Sequence, residues 1–105
     1  NCEPCKVMSN RWNIPPEVEK AVLERDKACV YCGMKFSDKS RKTKASWEHI
    51  VNDIRLNGAD NIALCCVSCN ASKGAKDLME WLKSDYCKKK EIRSESVAQV
   101  VKTHL

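Results

Sequence analysis

The chain has 105 residues, a formal charge of +5 and eight cysteines. That length suits one domain with a small apolar core, and it leaves little room for a second domain; so small a fold often leans on a staple. No apolar run approaches the ~20 residues of a membrane span and no signal-peptide core is visible, so the cysteines read as metal ligands of an intracellular, reducing compartment.

Residues 1–14 read as an N-terminal extension. Its Cys2-x-x-Cys5 is either a loose pair at a frayed end or half of a second zinc site with Cys87 and one further ligand. A helix is predicted from Pro15 or Pro16, because proline is tolerated in the first turn, where its missing N–H had no partner. Val18, Ala21 and Val22 give it one apolar face, Lys20, Glu24 and Arg25 look outward, and it ends around Asp26 or Lys27. "CVYCGMKF" follows, with two cysteines two residues apart and then Gly33, the pattern of a knuckle that turns two thiolates toward one ion. "SDKSRKTKAS" is a basic loop, "SWEHIV" has strand composition, "NDIRLNGADN" is a loop and "IALCC" a second strand.

A short helix is predicted from about Val67, ended by Gly74 in the left-handed conformation. Asp77 with Glu80 resembles a capping box for a helix that buries Leu78, Trp81 and Leu82. Ser96 with Gln99 is a second capping-box pattern, ahead of Val97, Val100, Val101 and Leu105. Residues 15–84 therefore read as the domain proper and 85–105 as a basic segment and a helix.

Cys29-x-x-Cys32 and Cys66-x-x-Cys69 supply four thiolates, which suits a closed, tetrahedral, structural zinc. A helix N-terminus at the second pair favours thiolate. Cys65 points the other way from Cys66 and is expected in the core, and Cys87 is expected to be a partly buried thiol. No βαβ pattern surrounds any CxxC, which argues against a thioredoxin-like centre.

Three features are left over: Glu48-His49-Ile50, Asn61 in "DNIAL", and Asn70 directly after Cys69. Singly, a strand His packs more often than it reacts, Asn61 is turn chemistry, and Asn70 binds nothing. Together with "RDKACVYCG", "EHIV" and "DNIALCCVSCNASKG", in order and spacing, they resemble the HNH endonuclease family over about Val22 to Gly74. The resemblance implies an α+β, zinc-stabilised ββα-metal fold with flanking helices. It implies His49 as general base, Glu48 and Asn70 as ligands of a catalytic metal, and Asn61 as the brace that positions the His. Two departures stand out. Glu replaces the commoner Asp, and Asn stands where the family also has His, which shifts preference toward hard ions such as Mg²⁺ or Mn²⁺.

The chemistry is coherent on its own terms. Phosphodiester hydrolysis needs a nucleophilic water, a base such as neutral imidazole, and positive charge on the phosphorane oxygens. Adjacent strand residues point to opposite faces, so Glu48 and His49 can share one site only at a twisted strand end or a bulge. Lys73, at i+3 from Asn70, is placed to meet a phosphate, as are Arg41, Lys42 and Lys44 in the basic loop, while Lys88 to Lys90 add a second basic cluster. The expected partner is DNA, met by a monomer or weak dimer that nicks. Two other readings are a zinc-ribbon DNA-binding module without catalysis and a zinc-stabilised protein-interaction domain. Steep salt dependence separates a phosphate binder from the last of these.

Overall fold

The computed structural model describes residues 14–37, 39–40, 43–53 and 55–105; Cys2, Cys5, Arg41 and Lys42 lie outside them. The elements run α1 (Pro16–Arg25), β1 (Ala45–His49), β2 (Ile62–Cys66), α2 (Val67–Lys73), α3 (Leu78–Leu82), α4 (Asp85–Lys90) and α5 (Gln99–Lys102). Helix α1 opens on Pro16, carries Glu17 and Glu19 in its first turn and Arg25 in its last, all favourable to the helix dipole. Val22 is fully buried with Val18 and Leu23 beside it, whereas Ala21, expected on that face, is exposed. Arg25 ties the end of the helix to the rest of the fold. Expected to point outward, it is exposed, yet it donates to the carbonyls of Ala59 (2.7 Å) and Ile62 (2.8 Å) and pairs through Nε and Nη2 with Asp26. Asp26 in turn accepts from the Leu64 N–H at 3.1 Å, so the end of α1 is tied to β2.

Strands β1 and β2 pair antiparallel, Ala45 opposite Cys66 through His49 opposite Ile62, and every residue of both is buried. Alternation splits the sheet between two cores. Ala45, Trp47, Ile62 and Leu64 face Ile14 and Val22. Ala63 and Cys65 face the larger core, where Tyr31 meets Trp81 edge-on at 4.9 Å. Ser46 and Glu48, cross-strand partners of Cys65 and Ala63, share that second face. Helix α2 follows β2 without a loop and lies over β1, so the order β1–β2–α2 makes a ββα unit.

The predicted cap of α3 is present: Asp77 accepts from the N–H groups of Met79 and Glu80, and Leu78 and Trp81 are buried. Helix α4 escaped prediction because Cys87 is its one buried position and "DYCKKK" shows no apolar period; Ser84 caps it, and Lys88, Lys89 and Lys90 complement its C-terminal dipole. Ser96 does not cap α5. Its hydroxyl is engaged with the backbone of Arg93, and the helix begins later, after Ala98. The segment 85–105 joins the main core through Cys87, Ile92, Val97 and Val101, and the Ala98 N–H bonds the Val30 carbonyl at 2.8 Å. Cys87 is fully buried, more so than expected. The class is α+β, and no helix among the described residues is long and apolar enough to cross a membrane.

Candidate functional site

Two structural pieces meet at the sheet end: a cysteine cluster and a polar group under α2. The Sγ atoms of Cys29, Cys32, Cys66 and Cys69 all lie within 4.8 Å of one another. The first pair sits on a turn in which Gly33, at φ 82°, takes a backbone conformation that side chains resist, and donates to the Cys29 carbonyl at 3.0 Å. The second pair straddles the β2–α2 junction, where Cys66 caps α2 by accepting the Cys69 N–H at 3.4 Å. The Cys32 N–H reaches the Cys29 sulfur in the same way at 3.5 Å. A hydrogen bond from Cys29 lowers the Cys66 thiol to about 7. Four thiolates in this arrangement fit a tetrahedral zinc and complete its shell, which suits structure rather than chemistry. Tyr86 adds a donor to Cys69 at 3.3 Å, an outer contact that the sequence gave no sign of. Cys65 stays out of the cluster, fully buried beside Ser46, and burial raises its thiol well above the ordinary range.

Helix α2 lays Asn70 and Lys73 across β1. The Asn70 amide nitrogen donates to Ser46 Oγ at 2.7 Å and to the Trp47 carbonyl at 3.3 Å. Lys73 Nζ pairs with Glu48 Oε2 at 3.0 Å and lies 3.5 Å from the His49 carbonyl. The same carboxylate oxygen accepts the Tyr31 hydroxyl at 2.7 Å. Burial, and then the Glu48 charge, push the Tyr31 phenol far above its usual range, so it stays protonated and donates. Lys73 differs from its expected place at a phosphate: it is 0% exposed, and its ammonium is held by Glu48. The physical reason is local. A carboxylate buried on the α2 face needs a counter-charge, and the i+3 position on α2 carries one. Gly74 ends α2 with the positive φ of 50° that was expected, but its ψ of −129° lies outside the left-handed helical well.

His49 is the last residue of β1, and the one-to-one register through it excludes a bulge. By alternation it leaves the sheet on the face opposite Glu48, so the two can share a site only around the strand end. His49 Nε2 lies 2.7 Å from the Asn57 side-chain oxygen, a partner that sequence reasoning missed. A carboxamide oxygen only accepts, so this contact fits a ring that donates from Nε2. Asn61 holds the loop that leaves His49: its oxygen accepts the Val51 N–H at 2.8 Å, and its nitrogen donates to the carbonyls of Val51 and Leu56, both at 3.1 Å. Asn61→Ala should therefore cost about 1–3 kcal/mol by breaking buried hydrogen bonds. Urea unfolding checks this; a variant as stable as the parent would show that the loop holds itself.

Among the basic residues, Lys44 is half-buried, Lys39 is exposed, and Lys88, Lys89 and Lys90 line the outside of α4, with Lys90 5.3 Å above the Tyr86 ring. Comparisons with curated proteins and with solved structures gave no match. A family model described as HNH endonuclease matches residues 29–76, a span that opens at the first cysteine of the cluster and closes just beyond α2. The match thus covers both cysteine pairs, Glu48 and His49, the loop brace and Asn70. Over this segment the chain is similar to the HNH endonuclease family, and the four-cysteine cluster lies inside the match.

Proposed function

We propose that the protein is a metal-dependent endonuclease that hydrolyses DNA phosphodiester bonds, nicking with low sequence specificity. The observation that supports this reading is the family match over 29–76, which spans Glu48 and His49 at the end of β1 and Asn70 on the helix α2 that packs against it. Glu48 and Asn70 offer a carboxylate and a carboxamide oxygen, a hard donor set that fits Mg²⁺ or Mn²⁺. Glu48 and Asn70 would hold such an ion, which would supply positive charge for the developing oxyanion and the leaving oxygen. His49 takes the proton of the attacking water, while Asn57 holds the ring at Nε2. Asn61 keeps His49 at the strand end by clamping the loop behind it. Water adds to phosphorus, the bond to the 3′ oxygen breaks, and a 5′-phosphate and a 3′-hydroxyl remain. Lys44, Arg41, Lys42 and the Lys88 to Lys90 cluster supply phosphate contacts, which set affinity without sequence choice.

The alternative is a zinc-stabilised DNA-binding module without catalysis. One observation favours it: the Glu48 carboxylate is enclosed by Tyr31 and Lys73. A plasmid assay across Mg²⁺, Mn²⁺, Ca²⁺ and EDTA separates the two. Supercoiled plasmid should pass first to open circle, with linear product late, EDTA should stop the reaction while the thiolate zinc is retained, and added salt should suppress it steeply. DNA retarded but uncut under every ion would establish the binding module. Linear DNA with defined ends, formed as fast as open circle, would refute nicking and low specificity and would indicate a dimer that addresses both strands.

A further inference from the structure

Glu48 is 5% exposed and Lys73 0%, and the two meet at 3.0 Å with Tyr31 as a third member. No buried side-chain nitrogen or oxygen among the described residues lacks a partner. The carboxylate that would bind a divalent ion is therefore already neutralised by the chain's own cation. A lysine ammonium and a hydrated divalent ion cannot both sit against one buried carboxylate oxygen without strong repulsion. Lys73 stands in the last turn of α2, where Gly74 follows and the helix stops. Its four-carbon stem is flexible, so its ammonium can leave Glu48 by rotamer change, whereas the rigid Tyr31 ring is packed against Trp81.

We propose that Lys73 is a resident counter-cation of Glu48 that a divalent ion must displace, and that the released ammonium becomes available to a phosphate. The proposal rests on the reading of Glu48 as a divalent-ion ligand. It reconciles the buried position of Lys73 with its sequence position at i+3 from Asn70. Tyr31 keeps its hydrogen bond throughout and holds the carboxylate in one orientation while the cation beside it is exchanged. The exchange makes the closed form the dominant state of the metal-free protein, so apparent divalent affinity is reduced by the small fraction that is open.

Two measurements on the zinc-loaded full chain test this. In the first, Lys73 modification by an amine-reactive acetylating reagent is mapped by mass spectrometry, with and without Mn²⁺, whose binding is followed by its paramagnetic resonance signal. Lys73 should be protected without Mn²⁺ and become modified with it, while exposed Lys83 and Lys88 react equally in both. In the second, Lys73→Met should bind Mn²⁺ about 10- to 100-fold more tightly than the parent, the factor for an open state populated at about 1–10%. The labelling experiment needs no variant, so a Lys73→Met chain that fails to fold leaves the proposal fully exposed to test. Mn²⁺ bound with Lys73 still protected, or equal affinity in a folded variant, would overturn the exchange and leave the divalent centre standing. No Mn²⁺ binding by either protein would overturn both.

Discussion

Cys66→Ala is expected to lose zinc and its cooperative unfolding transition together. Cys66 does three things at once: it ends β2, caps α2 through the Cys69 N–H, and places one of four sulfurs that lie within 4.8 Å of one another. A structural zinc is typically worth about 10–16 kcal/mol of folding free energy in small domains. That matches or exceeds the whole stability of an ordinary domain, about 5–15 kcal/mol. The cluster also lies within the main core, against Tyr31 and Trp81, so its loss opens the packing that α3, α4 and α5 share. Cys65→Ala is the contrast. Cys65 is equally buried but outside the cluster, so this variant should keep its zinc and lose only about 1 kcal/mol. Metal analysis beside thermal unfolding followed by circular dichroism checks both. A folded, zinc-free Cys66→Ala protein would show that the core holds without its clip.

The second large effect is on catalysis. His49→Ala should lower plasmid cleavage by about 10²–10⁴-fold, the usual contribution of a general base. Zinc content and DNA retardation should stay near those of the parent, because His49 lies outside the cysteine cluster and outside the basic residues. Asn57→Ala should reduce cleavage less, since it removes one contact that orients the ring but leaves the imidazole in place. A His49→Ala protein that cuts at near the parental rate would make His49 a packing residue of the strand end. Cleavage by Asn57→Ala at the parental rate would show that the 2.7 Å contact does not orient the base.

The sequence by itself determined those parts of the protein whose chemistry is local. Two CxxC pairs can close on one ion because each pair turns over two residues, and Gly33 supplies the positive φ that one turn needs. β1, β2, α2 and the Asp77 cap were legible from alternation, apolar runs and capping residues, which act over a few residues. Asn61 was legible as a brace from its motif, although its three hydrogen bonds to Val51 and Leu56 come from the folded loop. Helix α4 was not legible, because it is held by one buried cysteine and a serine cap rather than by an apolar stripe. Tertiary structure decided what depends on faces and distant partners. It tied Arg25, still exposed, to the carbonyls of Ala59 and Ile62, 34 and 37 residues away. It set Asn57 on His49, and it placed Tyr31, from between two cysteines, against Glu48. Above all it moved Lys73 inward. A lysine in sequence is a charge awaiting a partner, and only the packing of α2 over β1 shows that this partner is a buried carboxylate.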